Sequence, residues 1–206
     1  IKGIVKLVVI GDFIGIVAQR EEQAIAAMYA LKVEWKPWSG LPDLSRKGLH
    51  QTLSDLPKTP RQLRKDEGAD DAWNQSPVRL SRDYVWPFHA HASIGPSCAV
   101  AHFTDPQHLE LWSGSQAPHD LRKELATLMK MDEPQIVIHR HEASGCYGRN
   151  CADDVTADAA LLARAVGKPV RVQLMREQEM GWEPKGTGQL IRLQGGLTQN
   201  HEVNVY

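Results

Sequence analysis

Gln135-Ile136-Val137-Ile138-His139, Ser144-Gly145-Cys146-Tyr147-Gly148-Arg149-Asn150 and Val170-Arg171-Val172-Gln173-Leu174 lie within forty residues of one another, and their reading decides the fold. The first and last are β-rich runs; the middle one is a loop of small residues. Between loop and last strand, Asp153 and Asp154 supply acids to a helix start, where the helix dipole favours them. Val155, Ala159, Leu162 and Val166 recur on one face of that helix, Gly167 stops it, and Pro169 leads into the strand. Upstream, Ser97 to Phe103 and His108-Leu109-Glu110-Leu111-Trp112 read as strands. Pro118 then opens a helix with Leu121, Leu125 and Leu128 on one face. Strand, helix, strand, loop, helix, strand predicts two crossover units in succession. The two apolar stripes are expected to face each other across a sheet containing Ile136 and Ile138.

Toward the N-terminus, Ile4 to Ile10 and Phe13 to Ala18 flank the turn pair Gly11-Asp12, a hairpin pattern. Glu21 and Glu22 open a helix with Ala24, Met28 and Leu31 on one face, and Val33-Glu34-Trp35 is expected as a return strand. Residues 37–80 change character: Pro37, Pro42, Pro57, Pro60 and Pro77 punctuate them, and Lys58 to Asp71 mixes basic and acidic residues. A linker or covering arm is expected there, with a short helix over Leu44 to Leu56 and order returning from Tyr84. At the other end, Leu190 to Leu193 and Val203 to Tyr206 are expected to pair as a hairpin. Opening on Ile1 and closing in strand-like residues, the chain is expected to be a piece of a longer polypeptide.

The 206 residues carry 24 Lys+Arg against 25 Asp+Glu, a net charge of −1, with 42% hydrophobic and 24% charged residues. That balance excludes wholesale disorder and gives no electrostatic attraction to nucleic acid or an acidic membrane surface. Ile4 to Ala18 is interrupted by Lys6 and Asp12 and is too short to span a bilayer, so no transmembrane segment is expected. No stretch reads as a charged-then-apolar signal, and the compartment, cytoplasmic or periplasmic, stays open. Three cysteines do not make a disulfide framework.

The loop at Gly145–Asn150 carries the most chemistry. Its glycines let main-chain amides come close to a ligand, and the helix start behind it offers N–H groups to an oxyanion. It is neither a Walker loop nor a GxGxxG fingerprint, so a plain strand–helix turn and a cofactor loop both remain open. His89 and His91, like His139 and His141, are two apart and would share a face in a strand, but their spacing matches no structural zinc pattern. Cys98 reads as a core residue, and Ser144-Gly145 lacks a nucleophile elbow.

Three runs together carry a resemblance: Pro87-Phe88-His89-Ala90-His91-Ala92-Ser93-Ile94-Gly95-Pro96-Ser97-Cys98-Ala99, Trp112-Ser113-Gly114-Ser115-Gln116, and Glu142-Ala143-Ser144-Gly145-Cys146-Tyr147-Gly148-Arg149-Asn150. They resemble the large, molybdopterin-binding subunit of the xanthine dehydrogenase and aldehyde oxidase family, nearest the isoquinoline 1-oxidoreductase and nicotinate hydroxylase branch. Ala152-Asp153-Asp154-Val155, Val170-Arg171-Val172 and Trp182-Glu183-Pro184 extend the likeness. The resemblance implies an α+β fold. Residues 1–36 would be the C-terminal part of a hammerhead-like domain, 37–80 a linker or covering arm, and 81–206 the first part of an aldehyde oxidase/xanthine dehydrogenase-type molybdopterin-binding domain.

The resemblance also implies a molybdenum–molybdopterin cofactor, expected in its cytosine dinucleotide form, with no metal ligand from the protein. The reaction implied is hydroxylation of an N-heterocycle or aldehyde with oxygen from water, electrons leaving through an iron–sulfur small subunit. The implied cofactor-binding positions are His89, Gln116, Gly145, Cys146, Tyr147 and Gly148. His89 stands where many relatives have a glutamine, and an imidazole can take up a proton as well as donate a hydrogen bond. Cys151 stands where xanthine-type relatives carry a substrate-binding glutamate, making it a substrate-pocket candidate and arguing against a purine. The family's general-base glutamate is expected beyond the C-terminus, so this segment alone should not turn over. A catalytically dead scaffold or interaction module that keeps the fold without cofactor is the rival reading, and a small zinc protein a third.

Overall fold

The computed structural model describes residues 1–37, 44–148 and 152–206. In chain order the elements are β1 (Ile4–Ile10), β2 (Phe13–Ala18), α1 (Glu21–Ala30), α2 (Leu44–Asp55), α3 (Ala69–Gln75), β3 (Val78–Trp86), β4 (Cys98–Asp105), β5 (His108–Ser113), α4 (Pro118–Met129), β6 (Ile136–Arg140), α5 (Ala152–Val166), β7 (Val170–Gln173), α6 (Arg176–Trp182), β8 (Gln189–Leu197) and β9 (Val203–Val205). They fall into two units: residues 1–35 with 90–185, and residues 36–89 with 186–206.

The first unit is built on a four-stranded sheet in the order β6-β5-β4-β7. β4 is antiparallel to both neighbours and β5 runs parallel to β6, so β5, β6 and β7 share one direction. Strict alternation in β5 sets its faces: Leu109, Leu111 and Ser113 are buried, while Glu110 and Trp112 are half-buried. Ala99 and Ala101, Ile136 and Val170 complete the buried face, against Leu121, Leu125 and Met129 of α4 and Val155, Ala159 and Leu162 of α5. Both crossover helices therefore belong to one core on the same side of the sheet, instead of facing each other across it. The register of α4 also departs from expectation. Leu128 is 48% exposed and Met129 is buried, because Leu121, Leu125 and Met129 continue the inward row at spacings of four.

The N-terminal hairpin forms as its turn pair predicts, with β1 antiparallel to β2. Its Val8 is buried in the same core, and Lys6 donates to the Ala165 carbonyl at 2.8 Å. Gly15 comes so close to α5 that a Cβ there would lie 2.6 Å from the Leu162 side chain. In α1 the buried residue is Ala27, with Ala24 and Met28 half-buried. No strand forms over Val33–Trp35; the segment joins none of the sheets among the described residues, and Trp35, 66% exposed, gives it no buried face to hold it there.

In the second unit β3 pairs along its whole length with β8, which also pairs with β9. Order thus returns at Val78, six residues before Tyr84. The arm expected over 37–80 carries α2, broken at Gly48 (φ 69°), and α3. Asp83 faces Arg192 across the β3–β8 ladder and takes two hydrogen bonds from its guanidinium at 2.7 Å. His50 lies 3.2 Å from the same carboxylate, and the two partners hold Asp83 far below the usual carboxylate range. Among the described residues no helix is long and apolar enough to cross a membrane.

Candidate functional site

Four connections emerge at one edge of the four-stranded sheet. They leave the carboxyl ends of β5, β6 and β7 and enter the amino end of β4, as the pairs Ala99–Ser113, Ser113–Arg140 and Cys98–Gln173 require. The carboxyl edge of parallel strands is where open α/β sheets bind ligands. The loop over Ser144–Gly148 follows β6, Gln116 follows β5, and the arch over residues 91–97 precedes β4. A cavity of about 210 Å³ opens among them, lined by Gly95, Ser97, Trp112, Gly114, His141 and Ser144.

Ties between these connections are specific. Ile94 N–H donates to the Ser144 carbonyl at 3.1 Å, and the Ser144 hydroxyl donates to the Gly95 carbonyl at 2.8 Å. His141 N–H donates to the Ser113 carbonyl at 2.9 Å, and Arg140 Nε–H to the Ser115 carbonyl at 3.1 Å. Ser144 thus ties the loop after β6 to the arch before β4.

Within the loop, Gly145 (φ 93°), Tyr147 (φ 53°) and Gly148 (φ 140°) all have positive φ, a region open to glycine and costly for most other residues. A Cβ on Gly145 would sit 2.7 Å from the Tyr147 ring, and one on Gly148 would run into the imidazole of His91. Cys146 donates its thiol hydrogen to the Gly148 carbonyl. Tyr147 is 64% exposed, so tip and ring lie on the surface.

Of the expected site residues, the structure brings Gly145, Cys146, Tyr147 and Gly148 together and sets Gln116, exposed, at the start of α4 on the same edge. His89 belongs to the second unit. There it is exposed, exchanges main-chain hydrogen bonds with Gly186 at 3.2 and 2.8 Å, and lies 5.0 Å from the Trp86 ring. Neither His89 nor His91 lies in a strand, so the rule that would put both rings on one face does not apply; Ala92 at φ 49° turns the chain between them and β4. His139 stacks on Trp112 at 5.0 Å and pairs with Glu110 at 3.4 Å. Cys98 is exposed, not a core residue. Arg149, Asn150 and the pocket candidate Cys151 lie outside the described residues. Among the described residues no group of three or more His, Cys, Asp or Glu is placed to hold a metal ion.

Sequence reasoning missed two residues at this edge. Glu179 is fully buried and Glu183 is 3% exposed, although carboxylates at the end of a short polar helix read as solvated. Their only sequence signal is a spacing of four, since the serines they meet, Ser93 and Ser97, lie more than eighty residues upstream.

Both crossover helices pack on one side of the sheet, and glycines line the carboxyl edge of its parallel strands. Residues 54–206 match the molybdopterin cofactor-binding domain family, and the chain belongs to it. It is 56% identical over 99% of its length to a nicotinate dehydrogenase subunit of Pseudomonas putida, of which it spans 17%. It is 28% identical, over 78% of its length, to the aldehyde oxidoreductase molybdenum-binding subunit PaoC of Escherichia coli (strain K12), spanning 22% of that protein. The structure of quinoline 2-oxidoreductase from Pseudomonas putida 86 superposes on 93% of this chain, 26% of its own, with a TM-score of 0.70 at 19% identity. The chain therefore covers only a fraction of the length of these relatives.

The residues at the sheet edge fit a large anionic cofactor. At Gly95, Gly114, Gly145 and Gly148 a Cβ would collide with Ser144, Ala143, Tyr147 and His91 respectively. The arch into β4 and the connections after β5 and β6 pack this closely only because these side chains are missing, and the glycines, all at least partly exposed, leave main chain open to oxygen-rich groups.

Proposed function

We propose that this chain is the cofactor-binding part of a molybdenum hydroxylase subunit, and that the glycine edge of the first unit holds the molybdopterin. The observation that carries the reading is the loop from Gly145 to Gly148, locked by Ser144 and Gly95 into a conformation that needs glycine. When bound, the cofactor would supply the two-electron oxidation in which a substrate carbon gains oxygen from water. Gly145, Cys146 and Gly148 present main chain to its oxygens, Gln116 offers a side-chain amide that both donates and accepts, and Tyr147 covers the loop tip with its ring. His89, in the second unit, stands where many relatives have a glutamine amide.

The substrate class is an electron-poor N-heterocycle of the nicotinate type, supported by the identity to the nicotinate dehydrogenase of Pseudomonas putida; an aldehyde, as in the name of PaoC, is the alternative. The cofactor carries a cytosine dinucleotide, and an iron–sulfur small subunit receives the electrons.

Molybdenum per subunit, measured in the complete subunit and in its Gly148→Val variant, tests the reading. The expected result is full occupancy in the wild type and loss of both molybdenum and activity in Gly148→Val. Tyr147→Phe should change little, and His89→Gln should keep or raise activity. Equal, full occupancy in wild type and Gly148→Val removes the loop from the site. No molybdenum in either favours the cofactor-free scaffold. Turnover of an aromatic aldehyde without turnover of nicotinate assigns the alternative substrate.

A further inference from the structure

Two buried carboxylates, one within α6 and one just past its end, grip the arch over residues 91–97 from behind. Glu179 Oε2 accepts the Ser97 N–H at 2.9 Å, while its Oε1 accepts the Ser97 hydroxyl at 3.1 Å and lies 3.4 Å from the Ser93 hydroxyl. Glu183 Oε1 accepts the His91 N–H at 3.1 Å, and its Oε2 faces the Ala92 N–H at 3.4 Å. Lys185 Nζ lies 3.2 Å from the Glu183 carboxylate. Arg176, at the head of the same helix, donates to the Ser93 and Ile94 carbonyls at 2.7 and 2.6 Å. Polar groups from one short helix and its cap thus converge on a single stretch of irregular chain.

The arch is where such support is needed. Ala92 has φ 49°, a conformation alanine holds only when its surroundings impose it, and Glu183 is what faces its amide. The arch in turn carries the other half of the ties to the glycine loop. Ile94 and Gly95 bond Ser144, and the imidazole of His91 lies where any side chain at 148 would have to go. Burying carboxyl groups is expensive unless they are fully hydrogen-bonded. A helix that does so only to fix a loop does something an apolar contact could not, because main-chain N–H groups need oriented acceptors.

We propose that Glu179 and Glu183 are positioning residues for the cofactor loop, acting through the arch at 91–97 to set where Gly148 stands. The assignment rests on the reading that this edge holds the molybdopterin; the tie from α6 to the loop does not.

The test uses the complete subunit with Glu179→Gln, Glu183→Gln and Ser97→Ala. It measures amide exchange at 91–97 and 144–148, molybdenum per subunit, and the electron paramagnetic resonance signal of Mo(V). Glu179→Gln turns one accepting oxygen into a donor opposite Ser97, and Glu183→Gln does the same opposite His91 or Ala92. The expected result is exchange at least ten-fold faster at 144–148 as well as at 91–97, a several-fold loss of molybdenum, and a shifted Mo(V) signal in what remains. Should Glu179→Gln prove insoluble, Ser97→Ala, which removes the hydroxyl bonded to the same carboxylate at 3.1 Å, reads the same exchange. Faster exchange confined to 91–97, with loop exchange, molybdenum and signal unchanged, makes the carboxylates merely structural and overturns the proposal. Faster loop exchange in a subunit that keeps full molybdenum in Gly148→Val instead upholds the tie and overturns the reading of the loop.

Discussion

The hydroxyls of Ser113 and Thr156 meet at 2.6 Å inside the core of the first unit, joining the last residue of β5 to the first turns of α5. Ser113 is 2% exposed and Thr156 is fully buried. A hydrogen bond there is cheap to keep and costly to halve, since a buried hydroxyl that loses a partner forfeits its desolvation cost. Thr156→Val should destabilise by about 1–3 kcal/mol. Adding Ser113→Ala should cost less than the sum of the two changes, and a double-mutant cycle on urea midpoints reads the coupling. Additive losses would mean the two hydroxyls act independently.

Leu125 and Leu128 separate the two faces of α4. Leu125 is 1% exposed and Leu128 is 48% exposed. Leu125→Ala should cost about 2–5 kcal/mol, and Leu128→Ala no more than about 0.5 kcal/mol. Equal losses in denaturation would put the helix in the phase expected from sequence, with Leu128 inward.

Asp158 of α5 lines a second cavity, of about 520 Å³, with Phe13, Met28, Leu162 and Arg171. Burial, with a smaller push from the neighbouring Asp154 charge, raises its carboxyl to about 6. The folded value is above the unfolded one, so the stability it contributes is present below about pH 4 and is lost as pH rises through about 6. Asp158→Asn removes that titration. Relative to wild type the variant should gain roughly 2 kcal/mol at pH 8, after discounting for partial solvent access, and nothing near pH 4. A stability difference independent of pH would refute the shift.

Lys130 ends α4 in the left-handed region (φ 51°, ψ 51°), its N–H reaching back to the Ala126 and Thr127 carbonyls. Glycine takes that conformation at lower cost. Lys130→Gly should therefore raise stability by about 0.5–1 kcal/mol, readable as a higher melting temperature. A lower melting temperature would mean that the entropy glycine adds to the unfolded chain outweighs the relief.

The regular elements of the crossover region were legible because each carries its own punctuation: Pro118, Asp153, Gly167 and Pro169 bracket helices and strands that form where they should. Val33-Glu34-Trp35 misled because β-rich composition says nothing about whether an edge is free to pair. Leu128 and Met129 are one step apart on the helix, and both fit a helical spacing from Leu121 and Leu125, so only packing could choose. At the site, glycines mark the loop from Gly145 to Gly148 in sequence. Glu179 and Glu183 carry no comparable mark, since their partners lie more than eighty residues upstream and meet them only in the folded chain. The same holds for His91: the strand rule that pairs it with His89 fails where no strand forms.

The strand order β6-β5-β4-β7 has a consequence for biosynthesis. β4 and β5 can pair as soon as they leave the ribosome, across the short turn at Pro106-Gln107. The other side of β4 must wait for Val170 to Gln173, some seventy residues later. Until then Cys98 to Ala101, an apolar run with Val100 in it, presents unsatisfied main-chain groups to any other nascent chain. Pairing that closes so long a loop is slow as well as late. The window in which this protein can misassemble is therefore set by translation speed between β5 and β7, and folding helpers that shield strand edges should matter most during those residues.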